Sequence, residues 1–322
     1  MGPLQNNTVI IILGPTGVGK TGLSILLAKA LKTEIISADS MLVYRHMDIG
    51  TAKPSAAELS EVPHHLINIL EPDEKFSAGM FKEKASAIIN GLHNRNKIPL
   101  IVGGTGLYIR SLTSGLFEGP CADESLREKL MGEEELHGKG HLYDRLKAVD
   151  PDAAGKIEPN DLRRIVRALE VSLKAGRGIS EIQKDSTRSM DYNFIKIGLT
   201  RGRKELYSLI EARVDRMMEA GLLDETRKLM ELDHGKTAMQ ALGYKEMAMY
   251  LEGFVDLNEA VRLTKKRTKM YAKRQYTWFR KEPGIHWIDI TGIMDNEKIF
   301  QKVISDIEII KNLIYSKSVE FV

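Results

Sequence analysis

A chain of 322 residues that is 43% hydrophobic can bury a large core and form two units, and its net charge of +3 is too small by itself to mark a nucleic-acid binder. No run of about 18 apolar residues occurs, and the N-terminal MGPLQNNT lacks a basic region followed by an apolar one. Neither a transmembrane helix nor a signal peptide is therefore indicated, and a cytoplasmic location is expected. The single cysteine, Cys121, excludes an internal disulfide and a multi-cysteine zinc site.

The apolar run VIIIL predicts a strand over residues 9–13, followed by GPTGVGKT at residues 14–21 and a helix with Leu23, Leu26, Leu27 and Leu31 on its apolar side. Strand, glycine turn and helix in this order make a P-loop. Gly14, Pro15, Thr16, Gly17, Val18 and Gly19 form the turn that wraps a di- or triphosphate at the helix N-terminus, with the backbone N–H groups of all but Pro15 available as donors. Lys20 adds positive charge, and Thr21 offers a hydroxyl to Mg²⁺.

A second strand over residues 34–37 ends at Asp39. In an open parallel sheet the carboxyl ends of the strands face the ligand crevice, so Asp39 can hold Mg²⁺ or take a proton from a substrate beside the phosphates. Asp39 and Ser40 are also favoured cap residues and suit the start of a short helix. Residues 64–70 (HHLINIL) read as a third strand and 76–92 as a helix. With no second metal-type cluster at suitable spacing, His64 and His65 read as structural. A fourth strand over residues 98–102 runs into Gly103, Gly104 and Thr105, where an ATPase would place its Walker-B aspartate.

From 115 to 190 strand signals vanish and the chain reads as a helical insertion, within which Arg163, Arg164 and Arg167 suit phosphate contacts or a solvated helix face. Strand character returns at 194–200, followed by one long amphipathic helix to about residue 231 carrying Arg213, Arg216 and Arg227. A further helix covers 241–251. Residues 260–281 then hold nine Lys or Arg and no Asp or Glu, interrupted by Tyr271, Tyr276, Trp278 and Phe279. Cations interleaved with aromatics suit an RNA loop whose bases can stack, although a charge run can also be a solvated face. A strand at 285–290 and a terminal helix close the chain. The expected fold is α/β, a P-loop NTPase-like parallel sheet flanked by helices, with residues 1–114 and 191–322 as the core and 115–190 as the helical insertion.

Taken together, the chain resembles the tRNA dimethylallyltransferases of bacterial type. The resemblance runs nearly end to end and rests on GPTGVGKT, SADSMLVYRHMDIGTAKP, VPHHL, VGGTGLYI, NDLRRIVRALEV, ALGYKE and KRQYTWFR. It implies transfer of a dimethylallyl group from its diphosphate to N6 of the adenosine beside the anticodon in tRNA; a monomer with no membrane partner is expected. The resemblance explains the missing Walker-B acid, since the P-loop would hold a leaving diphosphate. Asp39 is then the candidate base, Arg213 the arginine reaching the diphosphate, and Thr105 a neighbour of the target base. The resemblance further implies tRNA contacts at Asp39, Ser40, Met41, Leu42, Thr105, Arg127, Arg163, Arg164, Arg167, Met239, Gln240, Gly243, Tyr244, Lys273, Arg274, Gln275, Trp278 and Arg280. Alternatives on the same core are an adenylate isopentenyltransferase, a P-loop kinase of small molecules and a nucleotide-gated RNA-binding module.

Overall fold

A computed structural model describes residues 7–117, 119–186, 189–232 and 235–319. The chain divides into two compact units, one formed by Met1–Ile109 with Asp191–Val322 and the other by Arg110–Met190.

The first unit is built on six strands, β1 (Thr8–Leu13), β2 (Ile35–Ser37), β3 (His64–His65), β4 (Leu100–Gly103), β5 (Asn193–Thr200) and β6 (Ile285–Asp289). They pair in the order β3-β2-β4-β1-β5-β6, all parallel. Every residue of β1 is buried, as a central strand covered by helices on both faces requires, which is why TVIIIL shows no alternation of polar and apolar side chains. The core joins Ile10 and Ile12 of β1 and Ile197 and Leu199 of β5 to Leu23 and Leu27 of the Lys20–Ala30 helix and to Ile299 and Val303 of the Asn296–Asp306 helix. A second apolar cluster packs Tyr44 and Met47 against Leu222, Tyr244 and Met247.

Several elements differ from the reading of the sequence. The terminal helix is two, Asn296–Asp306 and Glu308–Val319. The stretch 64–70 pairs only at His64–His65, because Leu66 (φ 61°) and Asn68 (φ 54°) take left-handed conformations that end an extended run; Leu70 makes an isolated bridge with Tyr44. The long helix after β5 is two helices, Arg203–Glu219 and Leu222–Glu231, divided at Gly221, whose φ of 98° no helix accommodates. No helix starts at Asp39; the chain turns until Ser55, whose hydroxyl caps the Ala56–Glu61 helix.

The second unit is helical, with Leu130, Leu142, Leu146, Ile165 and Leu169 in its own core. Among the described residues no helix is long and apolar enough to cross a membrane.

Candidate active site

Register brings the carboxyl ends of four strands to one edge. Leu13 lies between Gly103 and Gly198, and Ser37 lies beside Val102, so the turns after β1, β2, β4 and β5 open together. The turn after β1 is the phosphate loop. Gly14 has φ 148° and its missing Cβ would lie 2.7 Å from the Leu199 carbonyl oxygen, so no larger residue fits. Gly19 (φ 112°) precedes the Lys20–Ala30 helix and supplies no side-chain cap, leaving first-turn amides to bind an anion.

Two cations reach this loop. Lys20 Nζ donates to the carbonyl oxygens of Gly14 (3.0 Å) and Pro15 (2.9 Å). Burial pulls its ammonium down to about 8, against the opposing pull of the Asp39 carboxylate. Arg213, on the Arg203–Glu219 helix, donates from Nη1 to Thr16 Oγ1 at 3.2 Å, and burial lowers its pKa while Asp39 again opposes. Two desolvated cations facing one carboxylate leave an excess of positive charge that a polyanion would neutralise. Of the three arginines singled out after β5, Arg216 is exposed and Arg227 pairs with Asp224 on its own helix.

The turn after β2 places Asp39 opposite this pair. A Cβ at Gly103 would lie 2.1 Å from the Ala38 carbonyl oxygen, so the backbones after β2 and β4 run in contact. Thr105 N–H donates to Ala38 O (3.2 Å), and Thr105 Oγ1 accepts from Ser40 N–H (3.1 Å). Asp39 Oδ1 accepts from Met41 N–H at 2.9 Å, and Oδ2 has no hydrogen-bond partner among the described residues. Around the carboxylate stand the phenols of Tyr108 and Tyr271, each pushed upward, first by burial and then by neighbouring charge including that of Asp39. The side chains of Thr105 and Gln275 pull the Tyr271 phenol part of the way back down.

The basic stretch forms the Leu257–Phe279 helix. Its aromatics do not make an outer stacking surface. Phe279 is buried, Tyr276 bonds Thr200 Oγ1 (2.9 Å) and the Arg201 N–H (3.0 Å), and Trp278 lies where a Cβ on Gly106 would meet its ring at 2.3 Å. Helical periodicity explains this: the aromatics sit on the face that the sheet edge covers, and the cations on the other. Arg262, Lys265, Arg267 and Lys269 are held by Glu259, Asp215, Glu246 and Glu211. Lys273, Arg274 and Arg280 are exposed and make no ion pair among the described residues. Arg274 and Gln240 share the lining of a cavity of about 300 Å³ with Lys245 and Met270.

Three residues expected from the resemblance to touch tRNA are buried inside the protein. Tyr244 is 0% exposed, its hydroxyl donating to Glu225, and the adjoining Gly243 is buried with it. Gln275 is buried between the phosphate loop and Gly104. Met239 is half-buried. In the second unit, Arg127 and Arg167 both pair with Glu170, which is 0% exposed. Burial alone would raise that carboxyl; the two guanidinium groups and the Asp123 N–H outweigh it and hold the pKa below the usual range. Arg163 and Arg164 are exposed on the Leu162–Ala175 helix, Arg164 at 3.4 Å from Asp161.

The sequence did not single out Arg201 or Glu225. Buried Arg201 follows β5 and donates to Val18 O (3.0 Å), Ile290 O (3.0 Å) and Ile293 O (2.7 Å), bracing the loop from behind. Its position at a strand's carboxyl end was the available signal. Glu225 accepts from the N–H groups of Asp48, Ile49 and Gly50 and so anchors the segment that follows Asp39. Nothing local to Glu225 indicates this.

Residues 42–282 match the family described as IPP transferase. A tRNA dimethylallyltransferase of Thermodesulfovibrio yellowstonii is 53% identical over 304 residues, covering 92% of this chain and 96% of the relative. Another, of Halothermothrix orenii, is 46% identical over 93% of this chain and 92% of the relative. Among solved structures, the full-length tRNA isopentenylpyrophosphate transferase of Bacillus halodurans is 42% identical with a TM-score of 0.70, covering 97% of this chain and 98% of the other. A eukaryotic dimethylallyltransferase captured acting on tRNA is 31% identical with a TM-score of 0.81, over 95% of this chain and 80% of the other. A P-loop sheet whose fourth strand lacks the ATPase acid, with relatives matched along nine-tenths of its length, places this chain in the IPP transferase family, that of the tRNA dimethylallyltransferases.

Proposed function

We propose that this protein transfers the dimethylallyl group of dimethylallyl diphosphate to N6 of the adenosine beside the anticodon of a tRNA, releasing diphosphate. The observation that carries the reading is the convergence of Lys20, Arg213 and the Asp39 carboxylate on the phosphate loop at one sheet edge. The adenine amino group is a weak nucleophile because its lone pair is delocalised into the ring. Asp39 takes its proton as the new C–N bond forms. The C–O bond to the diphosphate breaks at the same carbon, and the loop amides, Lys20 and Arg213 accept the developing negative charge. Donors positioned in this way are each worth about 3 kcal/mol in the transition state. Thr105, tied to Ser40, borders the place of the target base.

Mg²⁺ fits the oxygen donors present. Thr21 exposes its hydroxyl on the first helical turn and Asp39 lies across the crevice, while no cluster of three acidic or imidazole groups exists among the described residues. That sparse set suits an ion held mainly by substrate phosphates and water. When bound, it would neutralise leaving-group charge.

The exposed cations Lys273, Arg274 and Arg280, with Gln240 beside Arg274, favour a macromolecular acceptor over a free adenylate, and Arg163 and Arg164 offer further phosphate contacts. The adenosine leaves the anticodon-loop stack to react, at a cost of about 3 kcal/mol. The enzyme acts as a monomer in the cytoplasm. Incubation with dimethylallyl diphosphate, Mg²⁺ and unmodified tRNA, followed by mass analysis of nucleosides, should show an adenosine heavier by one prenyl group. Unchanged adenosine would overturn the reading, and phosphorylated products would favour the kinase alternative.

A further inference from the structure

The Leu257–Phe279 helix carries one buried amide among its cations, that of Gln275. Gln275 Oε1 accepts from the Thr16 N–H at 2.8 Å, 259 residues away in sequence, and Nε2 donates to Gly104 O at 2.8 Å. The orientation of the amide is fixed by its partners. A flipped amide would set NH₂ against N–H and oxygen against oxygen. Gly104 is shaped to receive it, since a Cβ there would lie 2.3 Å from Nε2. Gln275 is 6% exposed, whereas its neighbours Lys273 and Arg274 are exposed. Thr16 is therefore held twice, its backbone by Gln275 and its hydroxyl by Arg213.

We propose that Gln275 is a positioning residue of the phosphate loop, through which the basic helix fixes Thr16 so that the loop is ordered before the diphosphate arrives. An unconstrained glycine-rich loop would lose backbone freedom on binding; a loop already tied to a long helix and to the turn after β4 loses less, and affinity gains the difference. Gln275 is on this account no tRNA contact, although it directly follows two residues that face outward, Lys273 and Arg274. The proposal rests on the phosphate loop being the diphosphate site.

The test uses the full chain with Mg²⁺ and titrates inorganic diphosphate by calorimetry and tRNA by fluorescence anisotropy. Gln275→Met keeps the side-chain length and removes both hydrogen-bonding groups. The expected result is a diphosphate Kd weakened about tenfold and a KM for dimethylallyl diphosphate raised in parallel, with tRNA Kd changed less than about twofold. Gly104→Ala, which pushes the amide away while keeping Gln275, should reproduce the shift and serves if the first variant does not fold. Unchanged diphosphate affinity in a folded variant, or a loss confined to tRNA, would overturn the assignment. If the unaltered protein bound no diphosphate, the phosphate-loop reading would fall and this proposal with it; binding by both forms alike removes the proposal alone.

Discussion

In the proposed reaction Asp39 takes the proton and Lys20 the developing charge, and their environments set what each can do. Asp39 Oδ1 is occupied by the Met41 N–H, which orients the carboxylate and leaves Oδ2 for a substrate proton. Asp39→Ala should lower single-turnover prenyl transfer by about 10²-fold or more while tRNA affinity stays within a few fold, as expected for a lost general base. Equal loss of tRNA affinity would make it a tRNA-positioning residue instead.

Lys20 has its ammonium pulled down to about 8 by burial. Only the protonated form attracts the diphosphate, and Arg213 remains charged throughout, so affinity should be full below about pH 7 and decline as pH rises through about 8. Calorimetric titration with dimethylallyl diphosphate across this range checks the direction. Lys20→Arg, whose charge does not titrate there, should flatten the curve. A wild-type curve that is already flat would mean the ammonium is not desolvated.

The Leu257–Phe279 helix has a buried side and an exposed cationic side where its sequence shows a single basic run. Five of its side chains, Ala260, Thr264, Ala272, Gln275 and Phe279, are buried, and the exposed turn of Lys273 and Arg274 lies beside them. Replacing Lys273 and Arg274 by alanine should weaken tRNA binding and reduce the slope of log K against log salt by up to about two, one per lost phosphate contact. Anisotropy titrations at several salt concentrations measure it, and an unchanged slope would leave these cations as a solvated face. The charge count alone was misleading here. Four neighbouring cations are consumed by ion pairs with the protein's own acids, and no sequence pattern distinguishes Lys269, held by Glu211, from Lys273. Arg127 and Arg167 make the same point in the second unit, where buried Glu170 occupies both.

Across the whole molecule, the parallel sheet is what turns separate motifs into a site. Gly103 shows how closely: with its Cβ position 2.1 Å from the Ala38 carbonyl, the turns bearing Asp39 and Thr105 touch through backbone. Gly103→Ala must part the ends of β2 and β4, and should lower both the thermal midpoint and prenyl transfer, read by melting and single-turnover assay. A variant with unchanged activity would show that this spacing does not set the site. The phosphate loop was legible in the sequence because a strand, a glycine turn and Lys20-Thr21 are contiguous and each follows from local backbone and charge rules. So was the α/β class, through fully apolar strands alternating with helices. The resemblance singled out Arg213, but spacing within the helix could not separate it from Arg216 or Arg227; the fold brings it to Thr16, turns Gln275 inward, and sets Arg201 and Glu225 to brace the loops. Those choices depend on which side of a helix meets a partner some 200 residues away in the chain, and spacing within one segment carries no information about that partner.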